Sequence, residues 1–222
     1  MTQRTSPPLK IDFVSDISCP WCAIGLAALE LALAEVHDEV KADIHVQPFE
    51  LNPAMPAGGQ DITEHLTQKY GSTPEQQAQI RATIAQRGAD VGFVFNPDGR
   101  GRIYNTFNAH RLLHWAGLES AARQLALKKA LLVACHGQSQ AMESPEVLLA
   151  AVAQAGLDVA GAQAVLASDA FAAEVRQAQA LYTGLGIHSV PAVIINDKHL
   201  ISGGQPVAVF AQALRQIASE NL

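Results

Sequence analysis

Cysteine is scarce: the 222-residue chain has three, Cys19, Cys22 and Cys135, too few for a disulfide-stapled scaffold. Clustered lysines and arginines are also missing, and with a net charge of −6 this excludes an electrostatic footprint for nucleic acid or an anionic membrane. No apolar window approaches the length that spans a bilayer. Residues 1–9 are polar, hold two prolines and lack the apolar stretch of a secretory signal, so the chain is expected in the cytoplasm. No fixed-period repeat occurs. What is present is a chain that is 49% hydrophobic, enough for a sizeable core in one large domain or two smaller ones.

In a reducing compartment, a closely spaced cysteine pair points to catalysis or redox cycling rather than to stapling. The pair here is Ser18-Cys19-Pro20-Trp21-Cys22, placed where an apolar run at residues 10–15 gives way to a helical pattern. At a helix start the unpaired backbone N–H groups and the macrodipole favour an anion, so Cys19 is expected to ionise more readily than a free thiol. Cys22 lies about one helical turn on, close enough to attack a mixed disulfide formed at Cys19. Pro20 suits the first turn of a helix, and Trp21 is expected to cover the sulfurs. A structural zinc site would need a second ligand pair at short spacing. There is no second C-x-x-C, Cys135 and His136 are adjacent, and of the remaining histidines only His110 and His114 share a four-residue spacing. No metal and no tightly bound cofactor are expected.

The order of elements follows from periodicity. A strand at residues 10–15 leads to a helix with Leu26, Leu29, Leu33 and Val36 on one face, then to an alternating strand over residues 42–49. From residue 51 to about 186 the chain reads as alanine-rich helices with no strand. Starts are marked by Thr73-Pro74, by Ser144-Pro145 and near Asn105, Glu119, Asp158 and Ser168, and stops by Gly156 and Gly184-Leu185-Gly186. Residues 96–101 read as a loop. Residues 192–195 and 199–202 flank Asn196-Asp197-Lys198 as a hairpin, and a final helix carries Val207, Phe210, Leu214 and Ile217 on one face. The predicted architecture is α/β: a thioredoxin fold over residues 10–51 and 186–222, with a large all-helical domain, residues 52–185, inserted between its β-α-β and β-β-α halves.

Several motifs then act together: Ser18-Cys19-Pro20-Trp21-Cys22, Pro48-Phe49-Glu50-Leu51-Asn52-Pro53, Asn105-Thr106 with Ala109-His110-Arg111-Leu112, Gly186-Ile187 with Val190-Pro191, and Ser202-Gly203-Gly204-Gln205-Pro206. In these the chain resembles the DsbA-like thioredoxin superfamily, and within it the FrnE-like cytoplasmic proteins, along nearly its whole length. The resemblance implies a thiol-disulfide oxidoreductase or isomerase acting on protein thiols and disulfides, with glutathione as a redox co-substrate. It implies a cis Val190-Pro191 bond opposite the dithiol, where the Val190 backbone would pair with an incoming peptide or glutathione as a short added strand. It also implies that the helix bearing Asn105, Asn108 and His110 faces the dithiol and presents these residues to a substrate groove; Asn52 is placed at the same groove by its position after the second strand, whose end should lie near the active-site face, with a plain Asn52-Pro53 turn as the alternative. Asn105 would cap that helix as well.

Bland readings stand beside these. Glu50 is expected to be a solvated acid at a strand end, His110 a surface or partner-satisfied histidine, and His114 a residue without a special role. Cys135 falls three and four residues after Leu132 and Leu131, the spacing of a buried helix face, and is expected to be simple core. Two rival functions compete with redox exchange. A kappa-like glutathione transferase or chromene-carboxylate isomerase would activate glutathione with one residue, commonly serine, and has no use for a resolving thiol at Cys22. A client-binding accessory protein would keep its function with both thiols replaced. No heptad pattern marks an interface, and a homodimer stays open.

Overall fold

The structure, a computed structural model, describes residues 8–220. Most of the polar lead at residues 1–9 therefore lies outside the described residues. The first half of the sheet is β1 (Leu9–Ser15), α1 (Pro20–Glu35) and β2 (Ala42–Pro48). A short β3 (Gln60–Asp61) then leads into α2 (Ile62–Tyr70) and α3 (Pro74–Asp90), followed by β4 (Arg102–Ile103), α4 (Phe107–Glu119) and α5 (Ala121–Leu132). A π-helical turn (Val133–Gly137) continues α5, and α6 (Pro145–Gln154), α7 (Val159–Leu166) and α8 (Ala172–Gly184) complete the helical portion. The chain returns through β5 (Ala192–Ile195), β6 (His199–Ser202) and α9 (Val207–Glu220).

The main sheet has the order β2-β1-β5-β6, with β1 parallel to β2 and antiparallel to β5, and β5 antiparallel to β6. Parallel pairing of β1 and β2 follows from the α1 crossover between them. The hairpin pairs Ala192 with Ser202 and Ile195 with His199. Asn196 and Asp197 at its tip both have positive φ, 52° and 56°, the backbone that a type I′ turn requires and that Asn and Asp tolerate.

Alternation along β1 divides the core. Ile11 and Phe13 face α1 and α9, where they meet Leu26, Leu29, Phe210 and Leu214. Val14 faces the other way, toward Tyr182 and Ile187. The helical portion has its own core around Leu112, Leu131, Leu148 and Val152, which also takes in Ile17 and Val46 from the sheet half. Each such buried side chain contributes about 1.5–3 kcal/mol. Gln124 of α5 joins the two cores: its Oε1 accepts from Val46 N–H at 2.8 Å and its Nε2 donates to Val46 C=O at 3.0 Å. That side-chain amide thus mimics a further strand on the β2 edge.

The capped starts fall where expected. Thr73 and Gln76 form a reciprocal capping box, and Ser144 and Asp158 cap α6 and α7. Two expectations fail. Residues 51–186 do contain strand: β3 and β4 pair antiparallel, and Asp61 caps α2 through the N–H groups of Thr63 and Glu64. Two-residue strands carry no alternation to read. Ser168 does not open a helix; its hydroxyl bonds back to Ala164 and Val165 C=O and closes α7, while α8 begins four residues later after Phe171 at φ 63°. The cause is Arg111, whose guanidinium gathers the carbonyls of Val165, Ser168 and Ala170 and so fixes the loop.

Candidate active site

Cys19 is the N-cap residue of α1, in extended backbone at φ −89° and ψ 115°, and Pro20 occupies the first turn. Cys19 is 4% exposed and Cys22 is fully buried. All three cysteines are unbonded thiols. The Val190-Pro191 peptide is cis, and the Val190 carbonyl oxygen lies 3.6 Å from Cys19 Sγ. Trp21 packs at the rim of the core that holds both sulfurs. Gly25, one turn into α1, permits close approach: a Cβ there would sit 3.0 Å from Pro191 Cγ and 3.2 Å from Gly204 Cα. Gly204 in turn packs against Trp21 C=O, where a Cβ would lie at 3.0 Å. The dithiol, Pro191 and the Gly203-Gly204 turn therefore form one tight unit.

The Cys19 thiol is shifted toward the anion, first by a hydrogen bond from the Cys22 side chain and then by the backbone N–H groups of Cys22 and Trp21, against burial and the nearby charge of Asp16. The backbone contribution is the one that the helix start predicts, but the partner thiol outranks it. Cys22 goes the other way: burial pushes its pKa well up, and the proximity of Cys19 adds to this. The two sulfurs are thus shifted in opposite directions.

The connection between β1 and α1 is gripped from the helical portion. Although burial opposes its ionisation, Asp16 is held down to about 2 by His110, whose Nε2 is 3.5 Å from Oδ1, and by the N–H groups of Leu51 at 2.8 Å and Ser18 at 3.2 Å. Thr106 Oγ1 also donates to Asp16 Oδ1 at 2.8 Å. His136 Nε2 lies 2.8 Å from Ile17 C=O, and Arg100 Nη2 donates to Ser18 C=O at 2.7 Å. Each of the three residues before Cys19 is thus tied by a side chain from the inserted helices and loops.

The other expected residues are distributed as follows. Asn52 is half-buried and its Oδ1 accepts from Lys69 Nζ at 2.7 Å. Asn105 Oδ1 accepts from Phe107 N–H at 2.8 Å and so caps α4 from one residue before its first-turn boundary at Thr106. Asn108 Oδ1 accepts from Arg111 Nη1 at 2.9 Å. His110 is buried against Asp16 rather than on the helix surface. His114 stacks on Phe171 with ring centroids 5.3 Å apart. Cys135 is buried as expected, yet Arg100 Nη1 lies 3.2 Å from its sulfur.

Glu50 corrects the sequence reading. Its side chain is buried, paired with Arg176 and hydrogen-bonded by Gln179 at 3.0 Å, while Arg176 also lies over the Phe107 ring at 3.8 Å. Helix α8 returns to the end of β2, which no local pattern discloses. Sequence reasoning also missed Asp16, Arg100 and Lys128. Lys128 had a legible signal: it falls three and four residues before Leu131 and Leu132, on the face already assigned to burial.

Among the described residues, no cluster of three or more His, Cys, Asp or Glu side chains could hold a metal ion, and no helix is long and apolar enough to cross a membrane.

Comparison with known proteins places this geometry. Residues 10–215 match the model of the DSBA-like thioredoxin domain. A crystal structure of a probable DsbA oxidoreductase from Streptomyces coelicolor is 33% identical, with 96% of this chain and 91% of that one covered and a TM-score of 0.85. The cytosolic disulfide reductase DsbM from Pseudomonas aeruginosa, solved with GSH, shares the fold at 17% identity and TM-score 0.63, covering 94% of this chain and 98% of that one. A 2-hydroxychromene-2-carboxylate isomerase does so at 15% identity and TM-score 0.68, with 96% and 97% covered. No curated protein shows a significant match. On the length of the matched domain and the identity to the Streptomyces protein, the chain belongs to the DsbA-like thioredoxin family.

Proposed function

We propose that the protein is a thiol-disulfide oxidoreductase or isomerase that works through the Cys19-Cys22 dithiol on protein disulfides or glutathione disulfide. The observation that carries this is the opposed preparation of the two sulfurs, Cys19 toward thiolate and Cys22 toward thiol, beside the Val190 carbonyl. Cys19 attacks the substrate disulfide and releases one substrate thiolate; Cys22 then attacks Cys19 Sγ, closes the intramolecular disulfide and releases the second. In the reverse direction the Cys19-Cys22 disulfide accepts a substrate thiolate. A backbone acceptor 3.6 Å from the reacting sulfur suits a peptide-like partner laid alongside as an added strand.

Residues 10–51 and 186–222 form the thioredoxin-like unit in this reading, and residues 52–185 the insert that supports it. Pro20, Trp21, Val190 and Pro191 shape the sulfur site. Asn52 and Asn105, both half-buried, are assigned to the substrate side together with Asn108, whereas His110 acts through Asp16. Glutathione as co-substrate and a cytoplasmic location take support from DsbM, which is cytosolic and was solved with GSH. A resolving thiol is the feature that favours redox exchange over a glutathione-dependent isomerase.

The test is equilibration in glutathione redox buffers, alkylating quench and mass spectrometry. A reversible Cys19-Cys22 disulfide with Cys135 free is expected, and Cys19→Ser should abolish exchange, a loss of about a thousandfold or more. A pair that never closes overturns the proposal.

A further inference from the structure

Arg87 is a half-buried cation on α3 that no carboxylate compensates among the described residues. Several other surface cations are paired, as Lys129 is with Glu30, Arg123 with Glu119 and Arg215 with Glu35 and Glu39. Arg87 instead gives one donor, Nη2, to Gly204 C=O at 3.3 Å. A guanidinium has five N–H donors, so most of its fork is left over. Its place is set by α3, which packs against α1; Val91, four residues on and on the same face, packs against the core that holds Cys19 and Cys22.

That one contact ties the guanidinium to the sulfur site. Gly204 lies against Trp21 C=O, and Gly203 N–H donates to Pro191 C=O at 2.8 Å. The adjoining Val190 carbonyl oxygen is 3.6 Å from Cys19 Sγ. Arg87, the glycine turn, the cis peptide and the reacting sulfur therefore follow one another in direct contact.

We propose that Arg87 is a specificity residue that receives a carboxylate carried by the substrate close to its disulfide. This rests on the dithiol cycle proposed above and narrows its substrate class to acidic disulfides. A substrate sulfur at Cys19, with its backbone along Val190, brings the residues beside the half-cystine over the turn that Arg87 holds. The planar fork of a guanidinium matches a carboxylate, which it meets with two parallel hydrogen bonds. Asp16, the acid whose charge reaches Cys19, is buried and engaged by Ser18, Leu51 and Thr106, so it does not occupy the guanidinium. Lys69 on α2 is held differently, its Nζ donating to Leu51 C=O and to Asn52 Oδ1, both at 2.7 Å. In a chain of net charge −6, a local cation at the site offsets the general repulsion of acidic partners.

The experiment is rapid mixing of the reduced protein at pH 7 with aliphatic disulfides of similar size, the dianion 3,3′-dithiodipropionate, the neutral 2-hydroxyethyl disulfide and the dication cystamine. Acid quench and mass spectrometry then follow the Cys19-Cys22 disulfide. Arg87→Gln should slow the dianion about fivefold, leave the neutral compound within about twofold and leave the dication unchanged or faster. Arg87→Lys should recover part of the dianion rate. In the native chain about 0.5 M salt should lower the dianion rate relative to the neutral one. An equal loss on all three disulfides makes Arg87 a mere prop for the Gly204 turn and overturns the proposal, as do unchanged rates. Should Arg87→Gln fail to fold, the native salt series decides, and a dianion-to-neutral ratio that salt does not lower is equally contrary. Glutathione disulfide and the disulfide of an Asp-Cys peptide, run in the same proteins, tell which source supplies the carboxylate by which rate falls in Arg87→Gln; if neither falls, the proposal is again overturned. A native protein that none of these disulfides oxidises overturns the dithiol reading itself, and this inference with it.

Discussion

Cys19 and Cys135 are nearly equal in burial, 4% and 3% exposed, and opposite in character. Cys135 has a guanidinium 3.2 Å from its sulfur, and its pKa is still raised, because burial outweighs Arg100. Among the described residues no cation is hydrogen-bonded to Cys19, which faces the unfavourable charge of Asp16, yet it is shifted toward the anion. The difference lies in directed donors: Cys19 sits at a helix start and receives hydrogen bonds from the Cys22 side chain and from two backbone N–H groups. Cys135 sits inside a π-helical turn, where the neighbouring backbone N–H groups are engaged in the helix. A nearby positive charge is thus a weaker instrument than two or three donors aimed at one atom.

Cys22→Ala is the sharpest way to break the comparison. Without its leading donor Cys19 should move toward Cys135 in behaviour, with iodoacetamide alkylation at pH 7 slowed about tenfold, since hydrogen bonds to charged groups contribute about 1.5–3 kcal/mol. Cys22→Ser retains a hydroxyl donor and should fall between the native chain and Cys22→Ala. It should also accumulate mixed disulfides, because serine cannot resolve them. Equal alkylation profiles for the alanine and serine variants would remove the partner thiol from the account.

Arg100→Leu should have the next largest effect, and mainly on stability. It leaves Ser18 C=O without its donor and costs about 2 kcal/mol, measured by urea unfolding. Cys135 should become still less ionisable, and its alkylation should continue to require unfolding. An Arg100→Leu protein in which Cys135 reacts faster than native would contradict the ranking of burial over charge.

The smallest effect concerns Asp16. Its folded pKa of about 2 lies below the ordinary 3.8, so the ionised group stabilises the fold above about pH 4, and that contribution is lost as pH falls toward 2. The difference is worth about 2 kcal/mol. Thr106→Val removes one donor to the carboxylate, should cost about 1 kcal/mol near neutrality and should move the acid limb of the stability curve upward in pH. An unchanged acid limb would mean that the hydroxyl does not govern this carboxyl.

Legibility in the sequence followed range. The strands and helices of the sheet half announced themselves because alternation in β1, the apolar faces of α1 and α9 and the turn residues Asn196 and Asp197 are local signals. Helix starts at Thr73, Ser144 and Asp158 were legible for the same reason. The site was legible only as far as chemistry is written in short motifs: the dithiol and the proline at position 191. Glu50, Arg100 and Asp16 were not, since each gains its meaning from a partner far along the chain, Arg176 lying 126 residues from Glu50 and Arg100 lying 82 from Ser18. The pairing of Gln60 with Ile103 failed for both reasons, being distant and only two residues long.

The grip on the residues before Cys19 bears on how the molecule comes into being. Cys19 and Cys22 emerge early from the ribosome, but the groups that hold the connection before them and pack beside Cys19 arrive late: Arg100, then Thr106, then His136, and finally Val190, 171 residues after Cys19. Contacts of such separation form slowly and only when most of the chain is present. In a nascent chain the motif therefore precedes the long-range contacts that fix the connection in front of it. Any truncated product ending before residue 190 would carry Cys19 and Cys22 without the Val190-Pro191 segment that packs beside them in the folded chain.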